Sequence, residues 1–196
     1  MEAAQLLPPQ TKRSSLERLR LAARQLFVED GYDKTRPQDI ARLAGLANGT
    51  FYLHFKDKKA AFLDFSERAQ SDLIQELRVG LDGITGREHR WRVIFAVMET
   101  FSERHPGVLE AAFMDPVMIA PNDEQAWRLY DRISGFVLGA LTERREDMAT
   151  DYDLELISHA ICGMLRHAMT FASRVGMEKE KMINDLITFI EKGLYQ

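Results

Sequence analysis

Residues 35–58, TRPQDIARLAGLANGTFYLHFKDK, form the most informative stretch of the chain. They predict a short helix over about 36–44, a tight turn at Gly45, and a second short helix over about 48–54. Two short helices joined by a glycine-containing turn are typical of a helix-turn-helix, whose second helix enters the major groove of DNA. The stretch therefore predicts a DNA-binding element near the amino terminus.

The second short helix is expected to have one inward and one outward side. Phe51 and Phe55 are four residues apart and can both face the core. Asn48 is a favoured cap residue, and Gly49 would let the backbone approach a phosphate. The side chains expected to meet phosphates and base edges are Asn48, Gly49, Thr50, Tyr52 and His54, with Lys58 beside them.

The first short helix has two possible starts. Pro37 disfavours helical geometry in the residue before it. Either Arg36 is the cap and Pro37 takes the first helical position, or Thr35 is the cap and Gln38 closes a capping box. Thr35 and Arg36 complete the candidate DNA-binding set, because an arginine here could add a phosphate or minor-groove contact.

The distribution of charge agrees with this interpretation. The whole chain of 196 residues carries a net charge of −4, which is unusual for a DNA-binding protein. Residues 1–60, however, hold eleven Lys or Arg and seven Asp or Glu, a net charge of +4, and the remainder carries −8. Positive charge is thus concentrated where phosphates would lie, although a solvated imbalance would look the same.

The rest of the chain shows helical periodicity throughout. Ser14 or Ser15 can cap a first helix that Gly31 ends, and Asp57 can cap a long fourth helix. Further helices are predicted at about 87–104, 107–114, 123–147, 152–176 and 179–194. The prediction is an all-α fold of about nine helices: a flexible arm (1–13), a three-helix head with the helix-turn-helix (14–56), and a larger helical bundle (57–196) for ligand binding and dimerisation.

These residues resemble the head of the TetR family of bacterial transcription regulators. The pattern that carries the resemblance covers about residues 15–60 and comprises Phe27, Gly31-Tyr32, Thr35, Ile40-Ala41, Ala44-Gly45, Gly49-Thr50-Phe51-Tyr52, His54-Phe55 and Lys58. The chain departs from it at Arg36, where a small hydroxyl residue is usual, at Ala47, often a serine, and at Lys59, commonly a glutamate. The resemblance implies a homodimeric regulator with an effector pocket in the larger domain and its last two helices at the dimer interface.

The larger domain is rich in methionine and aromatic residues, which can line an adaptable apolar pocket. For any one of them ordinary bundle core is the simpler interpretation, and the resemblance favours a pocket for a largely apolar effector. The candidate ligand-binding residues are Phe95, Met98, Phe101, Phe113, Met114, Trp127 and Tyr130.

The last two helices carry an apolar stripe that two subunits could bury in a four-helix interface about a two-fold axis. The alternative is that the same stripe is internal core. The candidate interface residues are Ile157, Ala160, Ile161, Met164, Ala168, Ile183, Leu186, Ile187 and Ile190.

Other classes of function find little support. Cys162 is the single cysteine, so no internal disulfide can form, and a cytoplasmic location is expected. No apolar run reaches the length of a membrane span, and no catalytic, metal or cofactor motif is evident. His159 and His167 flank Cys162, but a buried thiol is favoured over a metal or redox site.

The sequence thus predicts a ligand-responsive transcriptional regulator, most simply a repressor, that binds a palindromic operator on double-stranded DNA as a homodimer and is released by a small effector. The alternative is a helical ligand carrier or adaptor whose head no longer binds DNA.

Overall fold

The computed structural model describes residues 13–113 and 121–195, except for the side chains of residues 87 and 88. This part of the chain holds ten α-helices, a 3-10 turn at Arg145–Asp147 and no strand, which confirms the all-α prediction. The helices are α1 (Ser15–Glu29), α2 (Gly31–Lys34), α3 (Pro37–Leu43), α4 (Asn48–His54), α5 (Lys58–Leu81), α6 (Arg87–Arg104), α7 (Val108–Ala112), α8 (Glu124–Thr142), α9 (Leu154–Val175) and α10 (Lys179–Leu194).

Local signals set most of these bounds. Ser14 and Glu17 form a capping box that starts α1, and the carboxylate of Asp57 accepts from the backbone N–H of Ala60 to start α5. Gly31 has a φ of 78°, which ends α1 as expected. The four-residue helix α2 that follows was not predicted. It accounts for the difference between the ten helices described and the nine predicted. The predicted arm, 1–13, lies outside the described residues apart from Arg13.

A first core joins the head to the start of the larger domain. Phe27 of α1 stacks edge-on against Phe62 of α5, with ring centroids 5.3 Å apart, and Phe51 of α4 and Phe101 of α6 are buried in the same cluster. This core includes residues from α1 to α8. The head and the start of the larger domain are therefore packed together in one apolar cluster around α5.

A second core lies further from the head. It packs buried residues of α6, α8, α9 and α10 together, including Trp91, Phe95, Leu141, Ile161 and Ile187. The indole N–H of Trp91 donates to the Glu191 carboxylate at 3.0 Å, which ties α6 to α10. The last two helices are therefore part of the subunit's own bundle.

Polar contacts brace the head against the larger domain. Arg20 of α1 donates to both carboxylate oxygens of Asp64 on α5, at 2.6 and 3.0 Å. A guanidinium nitrogen of Arg24 lies 3.0 Å from the His105 ring. Close by, Gly107 has a φ of 73°, and a Cβ atom there would lie 2.7 Å from the side chain of Val28. The turn after α6 is thus pressed against α1.

None of the helices in residues 13–113 and 121–195 combines the length and the apolar character needed to cross a bilayer.

Candidate nucleic-acid interface

The helix-turn-helix consists of α3, a turn at Gly45, and α4. Gly45 has a φ of 65°, and the guanidinium of Arg18 donates to its carbonyl oxygen at 3.0 Å. A Cβ atom at Gly45 would lie 2.7 Å from that guanidinium, so a side chain here would disturb the contact as well as strain the backbone. Glycine at this turn therefore fixes the position of α3 and α4 relative to α1.

The cap of α4 differs from the prediction. Ala47, with extended backbone angles of −65° and 146°, is the cap residue, and Asn48 takes the first helical position. No side chain caps the helix, because the turn after Gly45 places alanine, which has no acceptor, at the cap position. The prediction of Asn48 as the cap is wrong. The side-chain amide of Asn48 is exposed and does not cap the helix.

The inward side of α4 is aromatic. Phe51 and Phe55 are both buried, as predicted, and their ring centroids are 5.5 Å apart. The Tyr52 ring lies edge-on to Phe51 at 5.2 Å, so its orientation is set by a buried neighbour. A short helix of seven residues is held in place by this packing rather than by its own helical propensity.

The outward side of α4 is mostly exposed. Tyr52 is half exposed, and Asn48, Gly49 and His54 are exposed beside it, while Thr50 is partly covered. Leu53 is 82% exposed. The sequence interpretation missed Leu53, although its position beside Tyr52, out of register with Phe51 and Phe55, was a sufficient signal. An apolar side chain here suits contact with a thymine methyl group.

Two of the candidate contacts are also tied to the head. The His54 Nε2 atom lies 2.7 Å from the Ser15 hydroxyl, which links the end of α4 to the start of α1. The Lys58 ammonium donates to the carbonyl oxygens of Tyr32 and Asp33, at 2.8 and 3.3 Å, and lies 4.2 Å from the centre of the Tyr32 ring. An ammonium has three donors, so one N–H of Lys58 remains after the two bonds that anchor α2.

Thr35 requires a correction. Its side chain is 1% exposed, and its hydroxyl donates to the carbonyl oxygens of Gly31 at 2.7 Å and Leu26 at 3.2 Å. A side chain so enclosed cannot contact DNA. Of the two predicted starts for α3, the structure shows Arg36 at the cap and Pro37 in the first turn, which leaves the Arg36 side chain exposed.

We expect Thr35→Val to lower the free energy of unfolding by about 1–2 kcal/mol, because it removes a buried hydroxyl and both of its hydrogen bonds. Urea unfolding measures this, with Thr142→Val as the control. The exposed Thr142 hydroxyl makes the same kind of bond, to Leu138 O at 2.8 Å, and its loss should change stability little. A Thr35→Val protein of full stability and weakened DNA affinity would restore Thr35 as a contact residue.

The candidate ligand-binding residues do not share one wall. Phe101 is buried in the first core with Met98 and Phe113 against it, whereas Phe95 belongs to the second core. Trp127 is about half exposed, and its indole N–H donates to the Pro121 carbonyl at 3.2 Å. Met114 lies outside the described residues. The Tyr130 hydroxyl accepts from Arg166 at 2.6 Å.

Four of the candidate interface residues are core residues of the subunit itself. Ile161, Ile183, Ile187 and Ile190 are buried in the second core, so their assignment to a dimer interface is wrong. They are the residues that pack α9 and α10 onto α6 and α8. Ile157, Met164 and Leu186 pack partly against the same core, Ala168 is partly buried, and Ala160 is exposed.

A different apolar face of these helices is uncovered. Leu156 and Phe171 of α9 and Phe189 of α10 are each more than half exposed. Phe189 lies in a shallow surface groove whose other lining residues are Asp185, Thr188, Lys192 and Gly193. Large exposed apolar side chains on adjacent helices are the signature of a contact surface.

The chemistry of Cys162 argues against a nucleophile. Burial raises the pKa of its thiol to about 11, although the nearby Arg166 opposes the shift. The reactive thiolate is therefore scarce at neutral pH. Among the residues that the structure describes, no three His, Cys, Asp or Glu side chains are grouped so that they could hold a metal ion.

A compact helical head that exposes a polar and aromatic helix after a tight turn defines a helix-turn-helix protein. The family model "Bacterial regulatory proteins, tetR family" matches residues 19–64. The helix-turn-helix transcriptional regulator YvdT of Bacillus subtilis, itself uncharacterised, is 33% identical over 106 residues, which are 53% of this chain and 53% of YvdT. The nucleoid occlusion factor SlmA of Edwardsiella ictaluri is 28% identical over 79% of this chain and 83% of its own length.

Most of the chain has a counterpart among solved structures. The crystal structure of Thermus thermophilus FadR, a TetR-family transcriptional repressor in complex with lauroyl-CoA, superposes with a TM-score of 0.67. The alignment covers 90% of this chain and 93% of FadR, at 21% identity, and so shows a shared fold. Residues 19–64 thus match the head of TetR-family regulators, and the chain shares the fold of a solved member of that family.

Proposed function

We propose that this protein is a ligand-responsive repressor that binds a palindromic operator as a homodimer and releases it when a small, largely apolar effector binds. The observation that carries the proposal is the outward face of α4. Asn48, Tyr52, Leu53 and His54 are presented together on a helix whose inner side is locked by Phe51. Such a face offers hydrogen-bond donors, acceptors and an apolar contact to a major groove.

The binding mode follows from the size of the head. One short helix reads too few base pairs to select a site in a genome, so two heads would occupy successive major grooves about 34 Å apart. The net charge of +4 over residues 1–60 would add a phosphate attraction that weakens with salt.

Selection of binding sites from a pool of random duplexes tests this proposal. We expect a palindrome to be enriched, and gel-shift titrations at about 50 and about 200 mM salt to show affinity falling steeply as salt rises. Enrichment of non-palindromic sites would contradict the dimer, and no binding even at the lower salt would contradict the repressor.

Dimerisation would use the uncovered face of α9 and α10. Leu156, Phe171 and Phe189 are positioned on the last two long helices, so two copies could bury them across a two-fold axis. This assigns the interface to the same helices as the sequence interpretation but centres it on their exposed side chains instead of on the buried isoleucines.

We expect Phe189→Asp to convert the dimer to a monomer, because an isologous interface would bury two unpaired carboxylates in an apolar contact. Size-exclusion chromatography with light scattering measures the mass. Val79→Asp is the matched control, since Val79 is an exposed apolar residue on α5, away from α9 and α10. A dimer that survives Phe189→Asp unchanged would place the interface elsewhere.

Effector release would act through the braces between the two domains. A ligand shifts the head only through a difference in affinity between two arrangements of the subunit. The Arg24–His105 contact and the close approach of Gly107 to Val28 couple the end of α6 to α1, so a change around α6 and α7 would move the head. The protein would act in the cytoplasm, where bacterial DNA lies.

The competing candidate is a ligand carrier or adaptor with a head that does not bind DNA. It predicts effector binding with no affinity for any duplex at low salt. The exposed side of α4 favours the repressor, because a head without a partner has no need of exposed Tyr52 and Leu53.

A further inference from the structure

The inward face of α5 contains two polar residues within an otherwise apolar stripe. This face carries Phe62, Ala69 and Leu73, all buried in the first core. Ser66 is 0% and Gln70 is 4% exposed. The two are four residues apart, so they are neighbours on one side of the helix.

Neither residue is satisfied. Among the described residues, the Ser66 Oγ and Gln70 Oε1 atoms have no hydrogen-bond partner. Other helical hydroxyls in this chain donate to the carbonyl four residues earlier: Ser71 to Glu67, Thr100 to Ala96, Ser134 to Tyr130, Thr142 to Leu138 and Thr170 to Arg166. Ser66 makes no such bond. Two buried polar atoms without partners destabilise a core, and their presence calls for a physical explanation.

The surroundings restrict what could satisfy them. Helix α5 contacts α1, α6, α7 and α8, and the core around it is apolar. No Asp, Glu, Lys, Arg or His of the described residues is as buried as Ser66 or Gln70. A charged ligand group would therefore lack a buried counter-charge, which makes a neutral polar group the suitable partner.

We propose that Ser66 and Gln70 form the polar end of an effector subsite for a mainly apolar molecule that carries a neutral hydroxyl or amide group. A ligand hydroxyl would donate to Gln70 Oε1 and accept from the Ser66 hydroxyl, so both orphaned groups would gain a partner. The inference rests on the proposed function, because it names the chemistry of the effector that the larger domain would bind.

The stability of ligand-free variants tests whether the two groups are unsatisfied. Ser66→Ala and Gln70→Met each remove a buried polar group while largely keeping volume, so each should raise the melting temperature Tm by about 2–4 °C. Ser158→Ala is the matched control: Ser158 is equally buried, but its hydroxyl donates to Glu155 O at 2.8 Å. Its substitution should lower Tm. A fall in Tm for Ser66→Ala like that for Ser158→Ala overturns the premise.

Paired small probes test the ligand class. Benzyl alcohol and 1-hexanol are each compared with their methyl ethers, which keep the apolar body but lack the donor, by ligand-observed NMR titration. We expect the wild type to bind each alcohol about 5-fold more tightly than its ether, and the Ser66→Ala/Gln70→Met double variant to lose the preference. Equal affinities, no binding by either member, or a preference that survives in the double variant overturns the subsite.

DNA binding separates this inference from the proposed function. The double variant should retain the wild-type affinity for the selected palindrome, since neither residue lies on α3 or α4. If the wild type prefers the alcohols but binds no DNA, the result contradicts the proposed repressor function and supports the effector subsite. If the wild type binds the palindrome but does not prefer the alcohols, the result contradicts only the effector subsite.

Discussion

Replacing Tyr52 by alanine is expected to weaken operator binding by about 30-fold or more. A groove-facing contact of this kind contributes about 1–3 kcal/mol, and a homodimer would lose it twice. The Tyr52 ring is half exposed on α4 and stands edge-on to Phe51, which remains in place in the variant. The loss should therefore appear in the dissociation constant from gel-shift or anisotropy titrations, with little change in Tm.

Two further variants show which part of the Tyr52 side chain contacts DNA and whether the effect is specific to α4. Tyr52→Phe keeps the ring and removes the hydroxyl, so it separates a hydrogen bond to phosphate or base from an apolar contact. Gln75→Ala, at an exposed position of α5 away from α4, should bind as the wild type does. Unchanged affinity of Tyr52→Ala for the selected palindrome would mean that α4 does not read the groove in the proposed way.

Replacing Phe62 by alanine is expected to lower the free energy of unfolding by about 3–5 kcal/mol. The Phe62 side chain is fully buried, and its ring centroid lies 5.3 Å from that of Phe27, 5.0 Å from Tyr32 and 6.2 Å from Phe65. These rings join α1 and the short helix α2 to α5. A cavity here would loosen the head and the larger domain together, because both contribute to the first core.

Urea unfolding followed by circular dichroism measures the Phe62→Ala effect. Val79→Ala, on the same helix but largely exposed, should change stability by less than about 0.5 kcal/mol. Because the first core includes α1, α5 and α8, the head should unfold in the same transition as α5. A loss below about 1 kcal/mol, or a head that melts separately, would show that the aromatic cluster does not couple the two domains.

Several features could be predicted from the sequence because they depend on neighbours along the chain. The cap at Ser14, one of the two serines predicted for it, the cap at Asp57 and the turn at Gly45 are short-range signals, and the structure confirms each of them. The span of α4, Asn48–His54, is the predicted one. The inward positions of Phe51 and Phe55 follow from helical spacing alone.

Other features escaped prediction because they depend on contacts between distant parts of the chain. Thr35 is a surface residue by type, yet the carbonyl oxygens of Gly31 and Leu26 enclose its hydroxyl. The cap of α4 is Ala47 and not the predicted Asn48, because the turn before the helix gives Ala47 the extended backbone angles of a cap residue. The orphaned oxygens of Ser66 and Gln70 become visible only when every neighbouring helix is in place.

Periodicity along the chain was enough to establish an all-helical protein with a helix-turn-helix head, since apolar spacing, caps and glycine turns act within a few residues. Periodicity could not predict which apolar face of α9 and α10 is buried within the subunit. Ile161 and Ile187 on one face and Leu156 and Phe189 on the other suit burial almost equally well. Only the packing of α6 and α8 against the first face decides which one stays open, because burial of a helix face is settled by the elements that come to cover it.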